Sequence, residues 1–347
     1  MDLEDPFPGG IQHFRPPHCP RTACSSRQAD GPAFRFNFRG RFRRACDGRV
    51  VRRFHCRSCR RSFSVQTFRV DYRLQRPHLT WPVFDAFVSK VTQRQTARTL
   101  ACNRKTVRRR LMLLSLHSRE FQTAVLERAR VQGRLRGRFQ LDELETFERD
   151  RRLQPVTMPV LIHEGSRFLL HIEAAALPAR GGLRKRDLER KQRLEAKQGV
   201  RRSGSREAVK RCFEVLARAH APGAQAVIVT DQKSSYSRVL AETMTGNFVH
   251  ERHSGKAPRR ISNPLWPINH TLAMLRDGLS RLVQRTWGAS KERAWLAQHA
   301  WIWIAYRNYI RYYTNRMKWT TSGRRSGLVS RAFSKASFFE WRVFATR

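Results

Sequence analysis

Two close pairs of cysteines near the start of the chain constrain its fold more than any other feature. Residues 25–55 separate the pairs. Four thiolates in two pairs are typical of tetrahedral zinc, which is structural when all four ligands come from the protein. The chain has seven cysteines, and an odd number without an export signal favours metal binding or free thiols over disulfides. The sequence therefore predicts a structural Zn²⁺ ion bound by Cys19, Cys24, Cys56 and Cys59.

The segment between the cysteine pairs has the pattern of short β-strands. Aromatic and basic residues alternate over residues 34–39, and an Asp47-Gly48 turn precedes an apolar run that starts at Val50. This pattern predicts a hairpin, and hence a zinc ribbon over residues 1–70 in which the metal replaces much of a hydrophobic core. The first cysteine pair is spaced more widely than is usual, which leaves three substitute ligands open: His18, Cys46 and His55.

The chain carries a large excess of positive charge. Its 347 residues include 70 Lys and Arg against 27 Asp and Glu, and its formal net charge is +43. Such charge predicts a polyanionic partner, and nucleic acid comes first because neutralising phosphates releases counterions. An anionic membrane is the rival, but no amphipathic anchor or lipidation signal supports it. The acidic start is no secretory signal and the segment 294–306 is too short to span a bilayer, so we expect a cytoplasmic, nucleoid-associated protein.

Residues 71–130 have the pattern of a helix-turn-helix. Apolar residues recur at helical spacing from Val83 to Val91. After them come the small Ala97, which allows close helix crossing, a turn at residues 101–104 and a basic helix. The alternative is a basic helical hairpin inside a larger core. We predict that the basic helix contacts DNA bases and phosphates through Lys105, Thr106, Arg108, Arg109 and Arg110.

An acidic cluster interrupts the basic sequence, with five acids within nine positions. Crowded carboxylates repel one another, so the cluster indicates a function, and holding a divalent cation is the best candidate. The alternative is a charged edge strand whose carboxylates prevent aggregation. The cluster consists of Asp142, Glu143, Glu145, Glu148 and Asp150.

Three apolar runs around this cluster predict an antiparallel meander of strands. The runs are Phe139–Phe147, Val156–His163 and Arg167–Ala174. A helix over 205–219, capped by Ser205, and a buried strand over 226–231 follow. This order brings the strand of Asp142 beside the strand of Asp231, and ligands gather at the carboxyl ends of strands in open α/β sheets. The two acids would then share a metal, although an aspartate that ends a strand is also common in ordinary turns.

Four short motifs follow the cysteine pairs and the helix-turn-helix pattern. They are Leu141-Asp142-Glu143, Val229-Thr230-Asp231, Ile268-Asn269-His270 and the run from Leu279 to Thr286. In this order the features resemble bacterial insertion-sequence transposases with a DDE-type, RNase H-like domain, most closely the ISXO-type group and its relatives. The resemblance covers most of residues 13–313. It implies a multidomain α/β protein whose catalytic domain has a five-stranded mixed sheet flanked by helices.

The resemblance also implies a site for metal-assisted phosphodiester chemistry. Asp142 and Asp231 match the first two metal ligands of the family, and Asn269 stands where the family usually has a glutamate. An Asp, Asp, Asn set can hold Mg²⁺ or Mn²⁺, with two ions implied, because magnesium sites often use only one or two carboxylates. Arg276 lies two helical turns beyond Asn269, on the same helix face, where it can grip a phosphate. The alternative for Asn269 is a helix cap near Pro267.

These predictions divide the chain into four parts: a zinc ribbon (1–70), a helix-turn-helix domain with a linker helix (71–130), an RNase H-like catalytic domain (131–315) and a basic tail (316–347). A basic insertion at 177–204 is either a DNA-contacting arm or a mobile solvated segment, and residues 250–263 form a second basic loop. The implied function is a DNA transposase, a DNA-bound homodimer that nicks the ends of its own insertion sequence and joins them to target DNA. The alternative is a non-catalytic DNA-binding regulator or an inactive remnant of a transposase.

Overall fold

The structure is a computed structural model of the chain. It describes residues 3–4, 6–7, 10–28, 33–258, 260–283 and 288–342. Parts of five sequence predictions lie outside the described residues: 1–2, 5 and 8–9 of the acidic start, 29–32 of the ribbon, 259 of the basic loop, 284–286 of the last family motif and 343–347 of the tail. Within the described part the predicted mixed α/β class is confirmed, with a mixed sheet, a separate antiparallel sheet and a four-cysteine cluster.

Three antiparallel strands form the N-terminal sheet. They are β1 (Phe36–Arg43), β2 (Val50–Cys56) and β3 (Ser62–Ser64), in that spatial order. The turn between β1 and β2 contains Asp47 and Gly48, and Gly48 has a φ of 69°, a value that favours glycine because it has no Cβ. The Asp47 carboxylate accepts a hydrogen bond from the backbone of Arg49 at 3.3 Å. The predicted hairpin is therefore confirmed.

The short helix α1 (Gly10–His13) lies in the N-terminal part of the chain. The predicted helix-turn-helix region contains the next three helices, α2 (Thr80–Val88), α3 (Gln93–Thr99) and α4 (Arg104–Val131). Thr92 and Gln95 form a capping box at the start of α3, and the Asn103 side chain caps α4 by accepting from the Lys105 N–H at 2.8 Å. The first cap lies in the turn between α2 and α3, and the second lies in the turn between α3 and α4. The structure therefore has short helices followed by a long basic helix in this region, and their hydrophobic side belongs to a larger core that also includes the main sheet.

The main sheet has mixed strand directions. Its strands are β4 (Gly137–Phe147), β5 (Pro155–His163), β6 (Phe168–Ile172), β7 (Ala175–Ala176), β8 (Ala226–Asp231) and β9 (Phe248–His253). The spatial order is β6-β5-β4-β8-β9, with β7 beside β5. The predicted meander is confirmed, since β4, β5 and β6 pair antiparallel, while β8 pairs parallel to both β4 and β9. The prediction of a loop over 250–263 is wrong at its start, where hydrogen bonding to β8 extends the backbone as β9.

Helices cover both faces of the main sheet. The helices after β7 are α5 (Lys185–Gln198), α6 (Ser205–Ala219), α7 (Ser234–Thr243), α8 (Trp266–Gly278) and α9 (Arg293–Ala305), and all of them except α5 contribute to the cores on the two faces. Leu141 of β4 and Ile228 of β8 pack in a core with α4, α6 and α7. Leu144 and Val229 pack in a second core with α8 and α9. Side chains alternate across a strand, so neighbouring residues of β4 and β8 serve opposite faces.

The predicted basic insertion forms α5. None of the α5 residues is buried. Two ion pairs link α5 to the loop between β4 and β5: Arg190 with Asp150 at 2.7 Å, and Asp187 with Arg152 at 3.0 Å. The insertion is therefore a solvated helix held beside this loop.

The tail packs against its own chain. It contains α10 (Ser322–Arg325) and α11 (Lys335–Phe338). Phe338 and Phe339 lie in the core shared by α2 and α4. The Trp341 ring stacks on Phe14 of the N-terminal part, with ring centroids 5.3 Å apart. The tail thus joins the ribbon to the helical part. In the portion of the chain described by the structure, no helix is both long and apolar enough to cross a membrane.

Candidate functional site

The four predicted zinc ligands come together at one point of the ribbon. The Sγ atoms of Cys19 and Cys59 are 3.7 Å apart, those of Cys24 and Cys56 are 3.8 Å apart, and all four lie within 4.8 Å of one another. A Zn–S bond of about 2.3 Å gives a tetrahedral edge of about 3.8 Å, which fits these separations. Four close and largely buried cysteines can therefore bind a metal such as zinc.

The three substitute ligands left open by the sequence are not needed to complete this site. The His18 Nδ1 atom lies 2.9 Å from Arg27 Nη1. The Cys46 thiol donates to the carbonyl oxygen of Leu74 at 3.4 Å, and His55 lies on β2, paired with Ser62 of β3. The cluster of four sulfur atoms satisfies tetrahedral coordination without them.

The five residues of α4 that were predicted to contact DNA differ in their exposure, because they lie on different sides of the helix. Lys105, Arg108 and Arg109 are exposed and Thr106 is half-buried, whereas Arg110 is only 5% exposed. Arg110 faces inward, its Nη2 donates to the carbonyl oxygen of Arg76 at 2.9 Å, and burial lowers its pKa. Arg110 is therefore removed from the set available to DNA, because the helical period places it on the buried side of α4.

Asp142 and Asp231 occupy neighbouring positions on two adjacent parallel strands. The register pairs Leu141 of β4 with Thr230 of β8, so the next residues along both strands are the two aspartates. Leu144, two residues after Asp142, packs in the core of α8, as does Val229, two residues before Asp231. By strand alternation both aspartates lie on the α8 face of the sheet. Their negative charges also act together on Tyr236, whose pKa is raised by burial first and then by Glu143, Asp142 and Asp231.

Asp231 also makes the contact expected of a turn residue. Its Oδ1 atom accepts a hydrogen bond from the Lys233 N–H at 3.0 Å, which begins the turn into α7. The turn interpretation and the metal-ligand interpretation are compatible, because a carboxylate has lone pairs beyond the one that this bond uses.

A glutamine positions α8 over the same face. The Gln140 Oε1 atom accepts a hydrogen bond from the Ile268 N–H at 2.9 Å, and its Nε2 donates to the carbonyl oxygen of Pro264 at 2.7 Å. Gln140 lies two residues before Asp142 and thus on the same side of β4. The next residue after Ile268 is Asn269, so this contact holds the start of α8 above the strand that carries Asp142.

Asn269 and Arg276 both belong to α8 and are both half-buried. The helix begins at Trp266 with Leu265 as its N-cap, so the interpretation of Asn269 as a helix cap is wrong. The Arg276 Nε atom is buried and has no hydrogen-bond partner among the residues that the structure describes. A buried guanidinium nitrogen without a partner is an unmet hydrogen-bond demand of this arrangement.

The acidic cluster is not a charged sheet edge. β4 lies between β5 and β8 in the interior of the sheet, so the edge-strand interpretation is wrong. Its other acids have ion-pair partners. Glu148 is 5% exposed and accepts from Arg201 at 2.7 Å and from the Arg293 side chain at 2.8 Å, whereas the exposed Glu145 pairs with Arg180. Long-range ion pairs therefore neutralise much of the cluster.

Glu143 faces the core opposite to Asp142. Its carboxylate accepts hydrogen bonds from Thr157 at 2.6 Å, Ser205 at 2.7 Å and Tyr236 at 3.0 Å, and it pairs with Lys233. Burial alone would raise the pKa of Glu143, but the hydrogen bonds from Lys233 and Thr157 outweigh burial and lower it. Glu143 thus joins β4, β5, α6 and the start of α7 beneath the aspartate pair.

The sequence did not predict the roles of two residues in this arrangement. Ser205 was expected to cap α6, but the N-cap is Gly204 and the Ser205 hydroxyl instead donates to Glu143. Gln140 was not singled out at all. Its position two residues before Asp142 was the available signal, because polar residues at alternate strand positions share a face.

Glu143→Gln is expected to destabilise the fold without touching the aspartate pair. The substitution weakens the buried hydrogen bonds from Thr157, Ser205 and Tyr236 and removes a partly exposed ion pair with Lys233, so the free energy of unfolding should fall by about 2 kcal/mol. Because the pKa of Glu143 is lowered on folding, its contribution is present above pH about 4.3 and is lost as the pH falls through the folded-state value. Urea denaturation of both proteins at neutral and acidic pH measures this, and the difference should shrink in acid.

The matched control is Glu145→Gln, two residues further along β4, where the ion pair with Arg180 is about half exposed. Its effect should stay below about 1 kcal/mol. Equal effects of the two substitutions would contradict the structural role assigned to Glu143.

Comparisons with known proteins identify no relative of this chain. A scan against models of protein families finds no match, and a search of the curated proteins finds none. The family resemblance therefore depends on the residues of this chain alone.

Proposed function

We propose that this chain is a DNA transposase of the DDE type, which cuts the ends of its own element and joins them to target DNA. The observation that carries the proposal is the adjacency of Asp142 and Asp231 on one face of two parallel strands. Asp231 ends its strand, and the carboxyl ends of parallel strands are where ligands bind in open α/β sheets. Carboxylate pairs are what divalent cations require for phosphodiester chemistry.

The architecture supports an RNase H-like catalytic domain. The main path of the sheet has five strands of mixed direction with helices on both faces, as the family resemblance implies. The four-cysteine cluster and the helix-turn-helix precede it in the chain, again in the order of the family. On this basis the cysteine cluster is assigned to structural zinc and the aspartates to the catalytic site.

We propose that the aspartates hold Mg²⁺ or Mn²⁺, which prefer oxygen ligands. Among the described residues, the Asp231 carboxylate accepts one hydrogen bond and forms no ion pair, although the chain has 70 Lys and Arg. Asp142 and Asp231 would hold the metal, with the Asn269 amide oxygen as a third ligand, and the resemblance implies two ions. A cation bound there supplies a Lewis acid that activates the attacking hydroxyl and stabilises the leaving oxygen.

The residues around the aspartates bind and orient the DNA strand. Gln140 fixes the start of α8, so that Asn269 is held over β4. Arg276 offers its unpaired Nε to a non-bridging phosphate oxygen of that strand. Glu143 and Lys233 stiffen the opposite side of the sheet through an ion pair between a largely buried carboxylate and a partly exposed ammonium group. Each of these contacts reduces the freedom of the groups that must meet the scissile phosphate.

DNA binding is supported by a basic cleft beside the helix-turn-helix. A cavity of about 450 Å³ is lined by Arg104, Lys105 and Arg108 of α4 and, from the other side, by Arg281 and Lys291. A duplex whose major groove receives the start of α4 would place phosphates at this cleft. With a net charge of +43, the protein would associate with the nucleoid, and we propose that it acts as a homodimer on paired transposon ends.

The test uses the purified full-length protein and a duplex that carries the inverted repeats flanking its gene. We expect nicking at the repeat ends with Mg²⁺ or Mn²⁺, and none with EDTA. Gel analysis of end-labelled duplex measures it, and strand joining to a second duplex measures the transfer step. If the wild-type protein binds these ends but does not nick them with any divalent metal, the transposase proposal fails. The protein is then a DNA-binding regulator or an inactive remnant of a transposase.

A further inference from the structure

Arg307 is a buried arginine that lacks an acidic partner. It is 1% exposed, and among the described residues its guanidinium makes one hydrogen bond, to the carbonyl oxygen of Tyr312 at 3.3 Å. Burial, and then the positive charge of Arg311, lower its pKa to about 10. It therefore remains charged at neutral pH. Buried guanidinium groups in proteins are normally paired with carboxylates, so an unpaired one indicates a missing anion.

Two further arginines converge on the same place. The guanidinium carbons of Arg325, Arg167 and Arg307 lie 4.8, 5.4 and 5.4 Å from the centroid of the Tyr313 ring. Arg167 also lies over the Trp266 ring at 4.5 Å. Like charges at this spacing repel one another, and the π-systems offset only part of that repulsion. A bound anion would offset the rest.

No acidic side chain neutralises this group within the described part of the chain. The charged groups that act on Arg307 are Arg311 and Arg167, and those that act on His270 are Arg167, Arg307 and Arg311. The acid nearest to Arg167 along the chain is Glu164, but its carboxylate accepts hydrogen bonds from Arg138 and Gln140. His270 accepts a hydrogen bond from Arg167 at 3.4 Å and is therefore neutral in this arrangement.

Arg167 has a backbone conformation that is unfavourable for a residue with a side chain. Its φ is 51°, in the left-handed region where glycine is preferred. Glycine occurs two residues earlier in the same turn, at Gly165, whose carbonyl oxygen accepts from Arg325 Nε at 3.1 Å. An arginine in the strained position is explained by what its side chain binds.

We propose that the arginine cluster, defined as Arg167, Arg307 and Arg325 around Tyr313 together with Arg311, binds a phosphodiester group of duplex DNA. The exposed Arg311 and Arg325 would contact the phosphate directly, and the buried Arg307 would act on it through its charge. The ligand in this inference rests on the proposed function. Arg311 and Arg325 are exposed, so the site is open to a large ligand. Guanidinium groups already cover the Tyr313 ring, which favours phosphate contact over base stacking.

The position of the cluster makes it a second DNA contact, separate from α4. Trp266 and His270 lie on the first turns of α8, which also carry Asn269. A phosphate bound at the cluster would therefore hold the DNA next to the candidate metal ligands. The α4 residues would meanwhile hold another part of the duplex at the basic cleft.

The test measures binding of a short labelled duplex of unrelated sequence, by fluorescence anisotropy over a series of NaCl concentrations. Each of the variants Arg167→Gly and Arg325→Ala should lower the slope of log K against log salt by about 1, and the affinity at low salt by about tenfold. Arg218→Ala is the control: Arg218 is an exposed arginine on α6, which packs on the other face of the sheet, and its loss should leave the slope unchanged.

Arg167→Gly separates binding from folding, because glycine suits the positive φ at this position. Its thermal midpoint should therefore be no lower than that of the wild type while its DNA slope falls. Wild-type slopes in both Arg167→Gly and Arg325→Ala would overturn the arginine site alone, whereas a wild-type protein that binds no duplex would also overturn the proposed function. Stabilisation of the wild type by inorganic phosphate, lost in Arg167→Gly while its DNA slope stays unchanged, would assign the site to free phosphate and overturn the DNA assignment.

Discussion

Cys56→Ser will unfold the N-terminal ribbon and abolish its metal binding. Cys56 is fully buried at the end of β2, and its Sγ atom lies 3.8 Å from that of Cys24. Serine is a poor zinc ligand, and three remaining thiolates leave the tetrahedral site open. Structural zinc contributes about 10–16 kcal/mol in small zinc-binding peptides, which matches or exceeds the total stability of most domains. A ribbon of three short strands cannot replace that contribution.

The measurements are the zinc content of the purified protein and the dispersion of its amide NMR signals. We expect about one zinc per wild-type chain, none in Cys56→Ser, and loss of the ribbon signals when a chelator is added to the wild type. Cys102→Ser is the control, since this half-buried thiol lies in the turn between α3 and α4, away from the cluster. A Cys56→Ser protein with full zinc content and an unchanged spectrum would refute the site.

The metal also has an effect beyond the ribbon. Trp341 of the tail packs on Phe7 and Phe14, with ring centroids 4.5 and 5.3 Å apart, so the tail is anchored in the ribbon core. Phe338 and Phe339 of the same tail pack beside α2 and α4. Loss of zinc should therefore loosen the contact that links the ribbon to α2 and α4.

The sequence predicted the regular elements of the fold because their signals are local. The strands around Asp142, the strand that ends at Asp231 and the helix over 205–219 all have clear periodicity, and the structure contains each of them. Asp142 and Asp231 could be placed side by side because the order of strands limits how the chain can pair.

Other features could not be predicted because they depend on contacts between distant parts of the chain. Glu148 was counted in the acidic cluster, but Arg201 and Arg293, from two other segments, neutralise it. Ser205 had the right residue type and position for a helix cap, yet the buried Glu143 takes its hydroxyl instead. Arg110 is buried because of where the core lies around α4. The helical period alone does not specify which side of the helix faces the core.

The alternation of β4 explains why one strand serves two roles. Glu143 points to α6 and α7 and is held by four donors, whereas the neighbouring Asp142 points to the α8 face. The first arrangement stabilises the sheet, and the second leaves oxygen ligands at the surface where α8 begins. Substitutions at these adjacent positions should therefore have different effects, on stability at Glu143 and on catalysis at Asp142.

Asp142→Asn is expected to abolish DNA cleavage while leaving the fold and DNA binding intact. The amide has the shape of the carboxylate but not its charge, and a hard divalent cation binds it far more weakly. Loss of one metal ligand should lower the rate of strand nicking at least about 1,000-fold, equivalent to about 4 kcal/mol of transition-state stabilisation. Nicking of end-labelled duplex measures the rate, and calorimetric titration with Mn²⁺ measures metal binding directly.

The control is Glu145→Gln, on the same strand but exposed and paired with Arg180, which should nick like the wild type. A metal ligand at this position must affect both nicking and Mn²⁺ binding. An Asp142→Asn protein that nicks at the wild-type rate and binds Mn²⁺ equally well would therefore remove Asp142 from the site.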